Sequence, residues 1–202
     1  MGKHIKFFLE QSWLLLVASV FFGICLAGLN AWWEPKIIAN EIKKFNDLAG
    51  GLLTEAEKFE PAEVLTIDIG KGKTVDTQVK KAVSGGDVVG WAFIAEGAGF
   101  QDKIKLVVAV DKQFNKLRGF GVLSSNETPG FGDKIKTGDF YRNQFIGAPC
   151  EEFTLSKVGD DKKIDSEIVA VTGATVTSES VVKILNNFIS QVKAQMKEKG
   201  YI

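Results

Sequence analysis

Hydrophobic and polar positions along this chain fall into four successive patterns. From Trp13 to Ala31 there is no rhythm at all, only an uncharged run of Leu, Val, Ala, Phe and Ile. About 20 such residues in a helix cross a hydrocarbon core, and Trp13 at one end with Trp32 and Trp33 at the other suit the membrane–water interfaces. Ile37, Ile38, Ile42, Phe45 and Leu48 then recur at helical spacing up to Gly50-Gly51, which predicts an amphipathic linker helix from Pro35 to Leu48. From Val64 the period shortens and β-branched residues dominate. Strands are predicted near Val64 to Ile69, Thr74 to Val83, Val88 to Ile94, Ile104 to Val110 and Lys116 to Leu123, separated by Gly-rich turns. Gly138 to Phe145 reads as a short helix, Glu151 to Leu155 as another strand, and the Asp- and Lys-rich stretch Ser156 to Glu167 as an exposed hairpin. Helical rhythm returns at Val181, Ile184, Leu185, Phe188 and Val192, with polar residues mostly between them.

These elements make an α+β fold, a mostly antiparallel sheet with packed helices, preceded by one N-terminal transmembrane helix. The expected organisation is a cytoplasmic N-terminus over 1–12, the transmembrane helix over 13–33, a linker helix over 34–51 and an extracytoplasmic domain over 52–202. A cleaved signal peptide is the competing reading of the first span. Its apolar region usually covers only ~7–15 residues, and Leu29-Asn30-Ala31 is a poor cleavage site. Ile24 before Cys25 does not suit a lipoprotein signal. Lys3 and Lys6 precede the span and Trp-Trp-Glu-Pro follows it, a bias that favours a single pass with the N-terminus inside.

Composition removes several kinds of chemistry from the soluble part. Lys plus Arg and Asp plus Glu both number 25 in 202 residues, so neither a basic nucleic-acid surface nor an acidic tail is indicated. The only histidine is His4, and the only cysteines are Cys25 inside the apolar run and Cys150 beyond it. Histidine-dependent catalysis, a Cys-x-x-Cys pair, haem attachment, an iron–sulfur cluster and a conventional zinc site are thereby excluded from the domain. Redox chemistry there requires an organic cofactor.

Candidate binding chemistry concentrates in two segments. In Val171-Thr172-Gly173-Ala174-Thr175-Val176-Thr177-Ser178-Glu179-Ser180 a β-branched run meets the last helix. Thr177 or Ser178 is the natural N-cap, Glu179 suits the positive end of the helix dipole, and Gly173 allows the turn. Such a helix start is either a plain capped terminus or an anion site able to take a phosphate. In the second segment, Pro129-Gly130 signals a type II turn. The glycine-bearing stretch Glu96 to Lys103 lacks the spacing of a phosphate-gripping loop and reads as a hairpin connection.

Thr172-Gly173-Ala174-Thr175-Val176-Thr177-Ser178 resembles the S/T-G-A-T-x-T/S signature of covalent FMN-binding domains. Glu127-Thr128-Pro129-Gly130-Phe131-Gly132-Asp133-Lys134-Ile135 is similar to the E-T-P-G-x-G-D-K-I loop of their Rnf-type members. With the membrane segment included, the resemblance to G subunits of Rnf electron-transport complexes spans essentially the whole chain. It implies FMN joined through its phosphate to Thr175, transferred there from FAD by a separate Mg-dependent flavin transferase. It also implies that Gly130 and Gly132 approach the flavin, that Glu127 and Thr128 bond its polar edges, and that the Glu96–Lys103 region comes near. Many relatives carry an acidic residue at or near position 169, where this chain has Val169. The partners implied are the other subunits of a membrane complex that couples ferredoxin/NAD electron transfer to Na+ or H+ movement, with this chain as a relay in the cytoplasmic membrane. Two alternatives stand beside this: the C subunit of a Na+-pumping quinone reductase, and a membrane-anchored module holding a phosphorylated ligand non-covalently.

Overall fold

The computed structural model describes residues 2–202, with side chains described from residue 12 onward, so Lys3, His4 and Lys6 fall outside the described side chains. Helix α1 runs Gly2–Leu52 and contains Pro35. The membrane segment and the linker, both expected from the sequence, thus form one helix. Proline costs the bond its missing N–H would have made to the Ala31 carbonyl, yet the apolar and helix-forming residues on both sides carry the helix through. Its stretch from Ser12 onward is long and apolar enough to cross a membrane, and none of that apolar window is buried within the protein.

The chain divides into two units, residues 1–43 and 44–202. In the second, strands β1 (Lys58–Asp68), β2 (Thr74–Ser84), β3 (Asp87–Ala98), β4 (Lys103–Asp111) and β5 (Leu117–Ser124) form a sheet in sequence order, each antiparallel to the next. This is the antiparallel α+β architecture that the alternating pattern predicts. Because side chains in a strand alternate between faces, β4 sends Ile104, Leu106, Val108 and Val110 into the main core and Val107 and Ala109 into a second cluster on the other face. That second cluster takes Phe45 and Ala49 from the end of α1 and Leu53 just after it, so the last turns of this helix belong with the sheet. Gly121 leaves room for the close approach: a Cβ there would lie 2.9 Å from Leu48 Cδ2.

Helix α4 (Thr175–Glu198) covers the main core with Val181, Ile184, Leu185, Phe188 and Val192, all buried, joined by Ile189 and Met196. Its polar flank meets the open edge of the sheet. Asn187 and Gln191 donate to the Asp68 carbonyl at 2.8 Å each, Gln191 Oε1 accepts from the Asp68 N–H at 2.9 Å, and Gln195 donates to the Thr66 carbonyl at 3.0 Å. Side-chain amides thus occupy edge groups that another strand would otherwise pair with.

Two short helices, α2 (Lys134–Thr137) and α3 (Asp139–Asn143), and two short strands, β6 (Thr154–Ser156) and β7 (Glu167–Val169), complete the unit. Strands β6 and β7 pair in parallel, so residues 157–166 form a crossover and not the expected hairpin. Asn186 explains part of this. Its amide accepts from the Phe153 N–H and donates to the Phe153 carbonyl, both at 2.8 Å, which fixes the chain entering β6 against α4. Gln144 holds Val169 in the same two-handed way at 2.7 and 3.1 Å.

Candidate functional site

Helix α4 starts at Thr175, earlier than its hydroxyl-rich sequence predicts. The N-cap is Ala174, at φ −136° and ψ 36°, without a side-chain cap. The two residues expected to cap are instead inside the helix with their hydroxyls committed elsewhere. Ser178, fully buried, accepts from the Val171 N–H at 3.0 Å and donates to the Ala174 carbonyl at 3.0 Å. This loop-to-helix clamp does the positioning work of a cap from within the helix. Glu179 consequently lies beyond the first turn and pairs with Lys183 at 2.7 Å on the exposed face. Tyr141, completely buried on α3, donates from its hydroxyl to the Ser178 carbonyl at 3.0 Å, and burial pushes that phenol above its ordinary pKa.

An α-helix leaves its first backbone N–H groups without partners inside the helix, here those of Thr175, Val176 and Thr177. The dipole adds partial positive charge at the same end. Gly173 turns the chain into this start at φ +81°, a conformation open to glycine.

The loop after β5 reaches the helix start from the other side. Pro129 and Gly130, the latter at φ +78°, form a turn closed by the Phe131 N–H on the Thr128 carbonyl at 3.2 Å, as the Pro-Gly pair predicts. Ile135 on α2, fully buried, anchors the far end of the loop in the main core.

Glu127 ties the pieces together. Only 4% exposed, its carboxylate accepts from the Thr177 hydroxyl at 2.6 Å and from the Gln101 and Asp102 N–H groups at 3.1 and 3.5 Å. One buried side chain therefore holds the start of α4, its own loop and the β3–β4 turn. The glycines around it supply space. A Cβ at Gly99 would stand 2.3 Å from Glu127 Oε1, and one at Gly132 would stand 2.9 Å from both Glu127 Cβ and Thr177 Oγ1.

Where these three segments meet there is a pocket of about 450 Å³. Gly173, Ala174, Thr175, Val176 and Thr177 form one wall, Thr128, Phe131 and Gly132 another, and Phe100 closes it from the β3–β4 turn. Of the residues singled out in the sequence, Thr172, Ser178, Glu127, Pro129 and Gly130 do not line it. Glu127 and Ser178 act from behind the wall, Pro129 and Gly130 shape the turn, and Thr172 is exposed beside it. Sequence reasoning missed Phe100 and Phe131, the second of which occupies the variable position of its motif. Their one signal was their place: each is an aromatic set among glycines in a turn.

A larger cavity of about 780 Å³ lies along the outer face of α4 against Cys150, Glu151 and Glu152. Burial, with Asp111 adding to it, pushes the Cys150 thiol up to about 12, so at neutral pH it is an inert thiol and not a nucleophile or metal ligand. Among the described residues no cluster of His, Cys, Asp and Glu could hold a metal ion.

The model of the FMN-binding domain family matches residues 99–190, a span that begins at Gly99 and takes in all three walls. The G subunit of the ion-translocating oxidoreductase complex of Methanosarcina acetivorans is 33% identical over 144 residues, covering 71% of this chain and 72% of that protein. The chain belongs to this G-subunit family. Another family member, the G subunit of the proton-translocating ferredoxin:NAD(+) oxidoreductase complex of Clostridium ljungdahlii, is 29% identical over 178 residues, 88% of each chain. Among solved structures, Shewanella oneidensis NqrC matches with a TM-score of 0.54 at 25% identity, over 72% of this chain and 73% of that one.

The pocket of this G-subunit chain fits FMN on its own chemistry. The unpartnered N–H groups opening α4 suit a phosphate. The aromatic and apolar walls at Phe100, Phe131 and Val176 suit a planar conjugated ring, and Gly132 and Gly173 let backbone approach it closely.

Proposed function

We propose that this chain is a membrane-anchored electron relay of an Rnf-type complex, carrying FMN in a phosphoester bond to Thr175. One observation carries the reading. Of the four hydroxyl residues from Thr172 to Ser178, Thr175 alone combines a place on the pocket wall with a side chain free of buried hydrogen bonds, at the first position of α4. Thr177 is held by Glu127 and Ser178 by the backbone, while Thr172 lies off the pocket.

Each part of the site then has a task. The first-turn N–H groups of α4 bind the phosphate, and Gly132 and Gly173 admit the ring. The bound flavin supplies one- and two-electron redox chemistry, while the protein supplies its position and surroundings. A threonine hydroxyl is a weak nucleophile without a base. The chain's only histidine is His4, and the nearby Glu127 carboxylate is already bonded to Thr177. A separate Mg-dependent flavin transferase accordingly makes the ester, breaking the pyrophosphate bond of FAD so that the FMN phosphate joins the Thr175 oxygen and AMP leaves.

The apolar part of α1 crosses the cytoplasmic membrane once, with the N-terminus inside and residues 52–202 on the extracytoplasmic side. The relatives named for ferredoxin:NAD(+) oxidoreductase complexes support coupling of that electron transfer to ion movement, with neighbouring subunits performing the substrate chemistry. The likeness to NqrC supports a shared flavin domain; the extent and identity of the G-subunit matches favour the Rnf-type assembly.

The test is the intact mass of the protein purified from its native membrane, beside a Thr175→Val variant expressed in the same way. The expected result is a gain equal to FMN less one water in the first and none in the second. A native protein without the gain, or a variant that keeps it, refutes the assignment.

A further inference from the structure

We infer that Phe100 and Phe131 are positioning residues that hold the flavin ring at the pocket mouth, a role that rests on the FMN reading above. Both line the pocket, yet they are 65% and 55% exposed and belong to neither buried cluster. Their exposure gives them little to contribute to folding. Their backbones are nevertheless fixed with care. Phe100 sits in a turn closed by the Gly99 N–H on the Asp102 carbonyl at 2.8 Å and pinned by Glu127 through the Gln101 N–H at 3.1 Å. Phe131 stands between Gly130 and Gly132, with its N–H on the Thr128 carbonyl and its own carbonyl accepting from Lys134 at 3.1 Å. Its ring rests so close to Gly173 that a Cβ there would lie 3.1 Å from Phe131 Cδ1.

Exposed aromatic rings on pinned backbone, on separate walls of one pocket, are what a planar conjugated ligand needs. A bond through the phosphate at Thr175 secures only one end of the flavin. The ring end remains free to exchange between a docked and a solvent-exposed position, and the tether keeps it at high local concentration near its seat. Contacts with Phe100 and Phe131 favour the docked position and so decide the fraction of time the ring faces a partner in one fixed orientation.

The experiment uses the full chain coexpressed with a flavin transferase and purified in detergent, comparing wild type with Phe100→Ala/Phe131→Ala and with Phe131→Trp. Intact mass reports attachment, iodide quenching of flavin fluorescence reports ring exposure, and the thermal unfolding midpoint reports folding. All three proteins should carry the FMN mass gain and unfold at similar temperatures. The double variant should show an iodide quenching constant raised about threefold to tenfold, the equilibrium shift expected for lost aromatic contacts. The Trp variant should show dimmer flavin fluorescence, since an indole touching an excited flavin gives it an electron. Unchanged quenching and brightness in fully flavinylated variants overturn the inference. A folded variant that loses the mass gain overturns it too, because the side chains would then serve the transferase. A wild-type chain without the gain refutes the flavin reading itself and removes the basis for this one.

Discussion

Replacing Thr177 by valine tests whether Glu127 is the tie that shapes the pocket. Threonine and valine have nearly the same volume, so the change deletes one hydroxyl and opens no cavity. Thr177 is 3% exposed and Glu127 4%, and water has little access to the oxygen left behind. A hydrogen bond to a carboxylate is worth about 1.5–3 kcal/mol, and a buried acceptor stranded without its donor adds to that loss. The remaining bonds to Glu127, at 3.1 and 3.5 Å, both fall on the other carboxylate oxygen and do not compensate. A loss of about 2–4 kcal/mol is expected. Thr177→Ser keeps the donor and removes one buried methyl, which costs about 1 kcal/mol. The assay is urea unfolding of the full chain in detergent, with Trp13, Trp32 and Trp33 replaced by phenylalanine so that fluorescence reports Trp91, which is 3% exposed within the sheet. The order of the two variants is decisive. If packing governed this position, serine would be the worse substitution, because it leaves a void and valine does not. A serine variant as unstable as the valine variant, or less stable, would refute the tie.

Three further outcomes follow from the packing of the domain. Gly121→Val should destabilise by about 1–3 kcal/mol in the same urea assay, because its Cβ would sit 2.9 Å from Leu48 Cδ2 on the closely packed end of α1. In a Cys25→Ser background, native Cys150 should react with iodoacetamide at pH 8 about a thousandfold more slowly than the unfolded chain, since burial holds its thiol near 12 against an ordinary value of 9.0. The linked stability has a definite sign: the raised folded value makes the contribution complete below pH 9 and progressively lost as pH rises toward 12, so Cys150→Ala should flatten the alkaline fall in urea midpoint.

The sheet was legible because short apolar, β-branched runs between Gly-rich turns mark its strands. Ile104 to Val110 is apolar at nearly every position, and the fold buries both faces of β4. The end of β1 was legible and its beginning was not: Lys58 to Glu63 carries Glu, Pro and Ala, whose place in the ladder comes from pairing with β2, with an irregularity between Pro61 and Glu63. Pro35 looked like a boundary because proline removes a donor, yet the flanking residues continue the helix. The crossover at residues 157–166 depends on Asn186 and Gln144 gripping distant backbone, and nothing local in the sequence reveals that. At the site, the motifs marked the two segments that meet. They did not distinguish residues that face the pocket from those that hold it from behind.

Under the proposed attachment of FMN to Thr175, that distinction accounts for the choice of one residue from a run of similar hydroxyls. Capping chemistry would favour Thr177 or Ser178 at the helix start, with their oxygens facing the phosphate-binding end. The fold commits both to structure, Ser178 to the Val171 turn and Thr177 to Glu127, and starts α4 at Thr175 with Ala174 as an N-cap that makes no side-chain bond. An alanine cap is a poor one, and its cost is about 1 kcal/mol relative to serine or aspartate. A hydroxyl cap at this point would sit beside the unpartnered N–H groups and compete with a phosphate for them. The weak cap thus leaves the N–H groups of the helix start open to the proposed phosphate, and the buried Ser178 clamp keeps that start in place without occupying them.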